Sequence, residues 1–589
     1  MRSSNELEAW VRCLSYGTPT GRVLCIRCPR LFSWPIFSVP LGSPATWWWC
    51  LLVWFSLTSL SIAAPPHEAT IGDRVAPLYR RDIEPLAAAN CAASGCHGGV
   101  RPGVAEASTA GLSAYPLWLQ HDPHARSWKT LCSDESVTMM SRLGIIENGR
   151  IVDAAGFDNC LACHNSYRLD SSSTGRRRSV HTADLLPPPT ASSPRFAEGV
   201  GCAACHGPAE RWIDQHYGAR WDRDTAISDG YVRNDDLLTR ARMCASCHVG
   251  DRDRDMNHDL IAAGHPVLRF EMASHHARLP KHWRDAAAAD PARFEAELWT
   301  AGAIATADAW LALQQGRVSQ CTPVSTWPEL AAHDCSSCHQ SIRLNSTRRP
   351  LSDPGRRGAA KMAAWDITPL RLLLAGSDPN VTAETEATVD AGLDDLQRLL
   401  ETMPTSDRDA VLTTVAKVRQ SLASAHADGL GLVRPPRLVE RAIRSAERRD
   451  PVGSWEAAAQ FYLLLAASRY EWSPSRSSEL GRVTDGDGDV WSQADRLRLG
   501  LALPTELDSP RFSLSRPLGP ELTQGEAGRL IRQILAGLQS TEGGVADRLE
   551  SAPRRIAPLS DARPIAPSPA ASDAAGASQT FDTSHVRIR

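Results

Sequence analysis

Apolar side chains recur at helical spacing in the C-terminal part of the chain. Two runs have intervals of three or four residues: Val389, Leu393, Leu396 and Leu400, then Val411, Val415, Val418 and Leu422. Such intervals place the side chains on one face of an amphipathic helix. Residues 455–470 and 522–538 are apolar enough to form two further helices, the first of them buried. The pattern predicts a helical region over residues 349–542.

Residues 65–348 show few of the alternating apolar and polar positions that indicate β-strands. We expect short helices and loops here, so the fold class predicted for the chain is mainly α. Residues 543–589 are rich in Ala, Pro, Ser and Arg, and this composition cannot bury enough apolar surface to fold. That segment is predicted to be a disordered tail.

The first 64 residues have the pattern of an export leader. An apolar run over residues 46–64 ends in small residues before Pro65, and Arg22, Arg27 and Arg30 form a positive flank. The run is shorter than the about 20 predominantly apolar residues of a transmembrane helix, so cleavage is favoured over anchoring. The expected location is periplasmic or otherwise extracytoplasmic, with a membrane anchor only if the leader stays uncleaved.

Charge does not favour nucleic-acid binding. The formal net charge of the 589 residues is −3, and there is no long basic stripe. The one compact basic cluster, residues 176–178, lies in a Ser-rich stretch that indicates a solvated loop.

Four copies of Cys-x-x-Cys-His occur, at residues 160–164, 202–206, 244–248 and 335–339. This is the attachment motif of c-type haem, in which both thiols form thioethers with the porphyrin and the histidine binds iron. Zinc sites also use Cys-x-x-Cys pairs, but they need two pairs for each ion and no histidine after each pair. The predicted cofactor is therefore haem c. The predicted attachment cysteines are Cys160, Cys163, Cys202, Cys205, Cys244, Cys247, Cys335 and Cys338, and the predicted proximal ligands are His164, His206, His248 and His339.

A fifth, longer motif is predicted where Cys91 and Cys96 precede His97. The four intervening residues are small and would bulge outward so that both thiols reach one porphyrin, with His97 as proximal ligand. Gly98 and Gly99 would let the backbone pass close to the porphyrin edge. A structural disulfide beside an incidental histidine is the alternative. The chain is thus predicted to carry four haem groups, and a fifth if this motif is used.

A low-spin c-type haem needs a second axial ligand. Histidines outside the motifs are concentrated between them, whereas the eight methionines are poorly placed, so we expect mostly bis-His ligation. The predicted distal candidates are His124, His181, His216, His258, His265 and His282, from a wider group that includes His121, His275, His276 and His333. Histidines outside this segment, at 67, 426 and 585, are expected at the surface. Cys132 and Cys321 are expected to pair with each other or to remain packed thiols.

Residues 198–216, 244–266 and 327–335 resemble the tetrahaem cytochrome c family of nitrifying bacteria. In that family the carrier accepts electrons from hydroxylamine oxidoreductase. The resemblance covers roughly residues 85–345 and implies closely packed haem pairs, largely bis-His, on a mainly helical scaffold. The chain departs from the family in its longer motif, its C-terminal helical region and its tail, so the resemblance does not fix the redox partner.

Together these features predict an extracytoplasmic electron carrier that meets partner proteins through small, transient interfaces. The alternative is a multihaem oxidoreductase acting on a small nitrogen or sulfur compound at one haem with an open distal position. The longer motif is the natural position for such an open site, and no catalytic residue is predicted. The helical region, residues 349–542, would either cover the haem-binding domain, residues 65–348, or dock it onto a partner.

Overall fold

The computed structural model describes residues 86–99, 113–167, 197–283, 291–320, 327–339, 360–375, 383–402, 406–427, 438, 441–445, 454–468, 490–501 and 524–539. All of them belong to one compact unit, residues 69–589. Several sequence-based predictions fall outside the described residues: the leader (1–64), the tail (543–589), His67, His181, His585, Cys321 and the basic cluster at 176–178.

Short helices follow one another through the motif-bearing segment. They are α1 (Ala114–His121), α2 (Ser127–Leu131), α3 (Asp134–Arg142), α4 (Ala154–His164), α5 (Cys202–His206), α6 (Arg223–Ala226), α7 (Leu237–His248), α8 (His258–Ala263) and α9 (Met272–Arg278). Single 3-10 turns lie at Ala88–Cys91, Pro123–Arg126, Ala209–Arg211, Ile227–Asp229, Leu330–Ala332 and Cys335–Ser337. The prediction of short helices and loops for residues 65–348 is confirmed for the described residues up to 283, whereas residues 291–319 form one long helix.

One small hairpin interrupts the helices. Strands β1 (Ile146–Glu147) and β2 (Arg150–Ile151) pair antiparallel, and they are the only strands among the described residues. The two turn residues, Asn148 and Gly149, both have positive φ, as a tight two-residue hairpin turn requires. The mainly α fold class is therefore confirmed.

Side-chain caps fix where the motif-bearing helices begin. The carboxylates of Asp153 and Asp236 accept hydrogen bonds from backbone N–H groups in the first turns of α4 and α7. Asn257 and Glu271 cap α8 and α9 in the same way. Each cap satisfies an otherwise unpaired donor and contributes about 1 kcal/mol. Because α4 and α7 both end at a motif histidine, these caps also fix the position of the motifs along the helices.

The remaining helices are mostly longer, and the first of them precedes the last motif. They are α10 (Pro291–Ser319), α11 (Thr368–Leu374), α12 (Ala383–Leu400), α13 (Arg408–Ala427), α14 (Trp455–Ala467), α15 (Val490–Gly500) and α16 (Gln524–Gln539). The two apolar runs lie on α12 and α13, and all eight side chains are buried. Helices α14 and α16 occupy the segments predicted at 455–470 and 522–538. None of the described helices is both long and apolar enough to cross a membrane.

Helix α10 lies at the centre of the hydrophobic core. One cluster of buried side chains extends from Leu238 on α7 to Leu535 on α16 and includes Trp299, Ile304 and Leu311 of α10. Helix α10 packs against α7 and α9 on the motif-bearing side and against α11, α13 and α14 on the C-terminal side. Full burial of each such side chain contributes roughly 1.5–3 kcal/mol. The two parts of the chain therefore share one core through this helix.

A buried ion pair joins the motif-bearing segment to α14. The guanidinium of Arg269 donates to the Glu456 carboxylate at 3.2 Å and lies over the rings of Trp365 and Trp455, at 5.8 and 5.5 Å. The same carboxylate accepts hydrogen bonds from the backbone N–H groups of Ala364 and Trp365, at 2.8 and 3.0 Å. Because both charges are paired and hydrogen-bonded, the low-polarity surroundings can hold them.

Asp366, beside this ion pair, makes the fold sensitive to pH. Burial and the nearby Glu456 carboxylate raise the pKa of Asp366 from 3.8 to about 7, although Arg269 and Arg317 act in the opposite direction. The unfolded chain releases this proton near pH 4 and the folded chain only near pH 7, so the contribution of Asp366 to stability falls between these values. At pH 8 we expect Asp366→Asn to raise the free energy of unfolding by up to roughly 4 kcal/mol, and at pH 4 to change it little.

Denaturant titrations of the wild type and the Asp366→Asn variant at pH 4, 6 and 8 measure this difference. A gain in stability that is the same at all three pH values would show that the effect does not come from titration of Asp366.

Candidate functional site

The motif cysteines are presented on helical turns. Helices α4, α5 and α7 each end at the histidine of a motif, and the cysteines of the last motif lie in or beside the 3-10 turn Cys335–Ser337. Two residues separated by three positions on a helix face the same side. The two thiols of each motif can therefore reach one planar group, with the histidine in the next position.

The longer motif is closed by the same backbone bond as a short one. In residues 335–339 the N–H of the histidine donates to the carbonyl of the first cysteine at 2.7 Å, and in residues 91–97 the equivalent bond is 3.2 Å long. The inserted residues form a turn closed by a bond from the N–H of Cys96 to the carbonyl of Ala93, at 2.8 Å. The histidine thus keeps its place relative to the first cysteine despite the insertion.

The turn that follows the longer motif leaves no space for a side chain at Gly98. A Cβ atom on Gly98 would lie 1.8 Å from the carbonyl oxygen of Ala92. The turn itself therefore requires glycine here, whereas the sequence interpretation assigned Gly98 to a close approach of porphyrin.

Every motif histidine faces a histidine from outside the motifs. The five pairs, with the distances between ring centres, are His97–His216 (6.2 Å), His164–His265 (6.3 Å), His206–His282 (6.2 Å), His248–His124 (6.1 Å) and His339–His258 (6.3 Å). Five of the six predicted distal candidates are thereby brought opposite a motif, and the sixth, His181, lies outside the described residues. Among the described side chains, no group of three or more His, Cys, Asp or Glu converges on one point.

This spacing fits two axial ligands of one iron. With a metal–nitrogen bond of about 2 Å and a nitrogen roughly 1.1 Å from its ring centre, two opposed imidazoles have centres about 6.2 Å apart. The five measured distances lie within 0.1 Å of that value. Imidazoles stacked face to face would be closer, whereas edge-to-face rings in direct contact span about 4.5–7 Å, so the argument rests on the same spacing recurring in all five pairs.

Hydrogen bonds orient three of the facing histidines. Nδ1 of His124 lies 2.9 Å from a carboxylate oxygen of Asp122, which is itself buried. Nδ1 of His216 lies 2.5 Å from the carbonyl of Ile213, and that of His265 lies 2.9 Å from the carbonyl of Pro266. An acceptor at Nδ1 leaves Nε2 as the lone-pair nitrogen, and second contacts of this kind orient metal-binding histidines.

Burial keeps three of the motif imidazoles neutral. Burial, with nearby histidines, lowers the pKa of His164 and of His206 to about 4, and that of His248 to about 3. In contrast, burial lowers the pKa of His124 but its bond to Asp122 outweighs this and raises it. Since a metal ligand must be unprotonated, His164, His206 and His248 are prepared for coordination near neutral pH.

Four of the five sites open into one cavity. Its volume is about 1900 Å³, and its walls include the cysteines and histidines of the first four motifs and the four histidines that face them. Sites for one drug-sized ligand are roughly 300–1,000 Å³, so this cavity could hold several large planar groups. The pair His258–His339 is not part of its wall.

Motifs that are distant in sequence touch each other in the cavity. The thiols of Cys163 and Cys247 lie close enough to shift each other's pKa, and so do those of Cys91 and Cys202. The first contact joins the motifs 160–164 and 244–248, and the second joins the motifs 91–97 and 202–206. Groups attached at these cysteines would lie next to each other in two pairs.

Other histidines of the wider group have different environments. His121 is exposed at the end of α1. The ring of His275 lies 5.3 Å from that of His248, and its Nδ1 is 2.9 Å from the carbonyl of Glu271. His276 contacts Arg240, and Nε2 of His333 is 3.2 Å from the carbonyl of Leu400. None of these four faces a motif histidine at the spacing of the five pairs.

Sequence reasoning missed two parts of the site. Asp122, which orients His124, could have been found from its position two residues before a candidate ligand. The aromatic cluster around His216, formed by Trp212, Trp221 and Tyr231, left no signal beyond the abundance of tryptophan, because its members meet only in the folded chain.

Comparison of the chain with known protein families, with curated proteins and with solved structures finds no match.

The longer motif gives a direct test of its attachment function. We expect the mature wild type to carry five covalently bound haem groups and the double variant Cys91→Ser/Cys96→Ser to carry four, because only one site loses both thiols. Mass spectrometry of the denatured protein, with haem-to-protein ratios from absorbance, measures the number. Cys132→Ser is the matched control and should retain five. Four in the wild type would favour the disulfide at this position.

Proposed function

We propose that the protein is an extracytoplasmic electron carrier with five c-type haem groups, each held by two cysteines and two axial histidines. The observation that carries this proposal is the pairing of every motif histidine with a second histidine at 6.1–6.3 Å between ring centres. Haem supplies one-electron chemistry between the ferric and ferrous states of its iron. The contribution of the chain is to hold, orient and shield these centres.

Filled axial positions favour electron transfer over catalysis. A multihaem oxidoreductase needs one iron with a free position for its substrate. The sequence offered the longer motif as the natural place for one, yet His216 faces His97 with nearly parallel rings, 17° apart. A histidine in this position would complete the coordination of the iron.

The surroundings of His216 hold it in place. Its ring contacts Trp212 at 5.5 Å and Trp221 at 6.4 Å between centres, and Tyr231 packs against both tryptophans at 5.4 Å. Edge-to-face aromatic contacts of this kind each contribute about 0.5–1.5 kcal/mol. Together with the Nδ1 contact to Ile213, they oppose movement of the imidazole away from a metal.

The contacts between motifs support transfer of electrons within the chain. The thiol contacts Cys163–Cys247 and Cys91–Cys202 bring two pairs of attachment points together, and four sites share one cavity. The pair His258–His339 uses the first residue of α8, whose backbone N–H donates to Glu329 at 2.8 Å. This bond ties the site at His258 and His339 to the rest of the motif-bearing segment.

The partner is proposed from the sequence resemblance alone. In the tetrahaem cytochrome c family, the carrier takes electrons from hydroxylamine oxidoreductase, and a similar multihaem donor outside the cytoplasm is our proposal for this chain. The fifth site and the helices α11–α16 distinguish it from that family, so its acceptor is expected to differ.

Low-temperature electron paramagnetic resonance of the oxidised, fully matured protein tests the proposal. We expect the wild type to show only low-spin iron, and His216→Ala to convert about one fifth of the iron to the high-spin form, because one of five irons loses its second ligand. His121→Ala removes an exposed histidine of the same segment and should leave the spectrum unchanged.

A stoichiometric high-spin signal in the wild type that shifts on addition of nitrite or hydroxylamine would overturn the electron-carrier proposal. It would identify an open iron and favour the oxidoreductase.

A further inference from the structure

A buried arginine lies where two motifs meet. The side chain of Arg254 is 5% exposed, and its Nε donates to the carbonyl of Ala162 at 2.9 Å. Ala162 lies between the two cysteines of the motif 160–164, whereas Arg254 follows the motif 244–248 by six residues. The side chain therefore connects one attachment motif to the segment that leaves another.

A tight turn holds Arg254 in this position. The N–H of Asp251 donates to the carbonyl of Arg254 at 3.0 Å, and the reverse bond is 3.3 Å long. The guanidinium also pairs with the carboxylate of Asp251. The backbone of Arg252 lies against α10 at Gly316, where a Cβ atom would come within 2.9 Å of it, so the turn is braced by the central helix.

The two charges of this ion pair differ in their exposure to solvent. Asp251 is 29% exposed, so solvent screens its carboxylate, while the guanidinium is almost fully buried. Sγ of Cys247 lies 3.9 Å from the same Ala162 carbonyl that accepts from Arg254. The buried positive charge therefore lies beside both motifs.

We propose that Arg254 raises the reduction potentials of the two haem groups attached at residues 160–164 and 244–248 and holds their attachment segments together. This inference rests on the proposed function. Each iron gains one electron when the ferric form becomes ferrous, so the positive charge of the centre falls by one. A buried cation beside these two centres therefore disfavours their ferric form, whereas the other three centres lie at other motifs.

Two variants that remove charges of opposite sign test this role of Arg254. In Arg254→Gln the amide can still donate to Ala162, but the charge is gone, and we expect two of the five one-electron steps to move to lower potential. Asp251→Asn removes the opposing charge and should move the same two steps to higher potential. At a fixed applied potential, we expect the ferric-to-ferrous ratio of these two centres to change about tenfold, which corresponds to about 59 mV for one electron.

Two further variants separate charge from packing. Arg254→Lys keeps the charge and should shift these steps by less than half as much as Arg254→Gln. Arg252→Gln is the matched control, since it removes an exposed arginine two residues away and solvent screens that charge. Optical titration of the full-length matured proteins against electrode potential, fitted with five one-electron steps, provides the measurement.

The proposal for Arg254 fails if Arg254→Gln titrates like the wild type, or if Arg254→Gln and Asp251→Asn shift in the same direction. If Arg254→Gln does not mature, absence of an upward shift in Asp251→Asn overturns it. Haem content is measured first on every sample. A wild type without covalent haem would contradict the proposed function itself, and that failure is distinct from unchanged potentials in fully loaded variants.

Discussion

The opposition of two imidazoles about 6 Å apart, repeated five times, is the constraint on which the rest of the motif-bearing segment depends. An iron between two histidines tolerates little error in their separation, because metal–nitrogen bonds are short and directional. The side-chain caps of α4, α7 and α8, the bond from Asp122 to His124 and the aromatic packing around His216 all reduce the freedom of one member of a pair. All of these features have the same effect, because each restricts the position of an imidazole ring and of its nitrogen atoms.

Such accuracy needs a rigid frame, and α10 supplies it. A cavity of about 1900 Å³ removes side-chain packing from the middle of the motif-bearing segment, so the apolar contacts that stabilise it lie around the cavity. Some belong to a small cluster that includes Phe157 and Leu161. Helix α10 provides others by packing against α7 and α9 on one side and against α11, α13 and α14 on the other. The ion pair of Arg269 and Glu456 adds a polar connection to the same frame. This arrangement explains how helices without any attachment motif can contribute to the geometry of the sites.

Burial acts differently on the imidazoles and on the charged groups around the cavity. It lowers the pKa of His164, His206 and His248 and so keeps these imidazoles neutral and able to bind metal. It also strengthens the electrostatic effect of any charge held nearby. Charged side chains line this region, and two of them have distinct positions: Asp122 orients the ring of His124, and Arg254 is the cation proposed to act on two of the sites. Electrostatics inside the cavity is therefore set by individual residues and not by the net charge of the chain.

The sequence by itself determined what depends on residues close together along the chain. The thiols and histidine of each motif lie within one or two helical turns, and the apolar stripes of α12 and α13 follow from helical periodicity, so both could be predicted directly. The sequence also named His124, His216, His258, His265 and His282, but it could not pair them with motifs. Only the tertiary structure decided that His216 faces His97 across two intervening motifs, or that Arg254 reaches Ala162, 92 positions away. Those contacts depend on how the helices pack around the cavity, and packing is a property of the whole chain that no local pattern encodes.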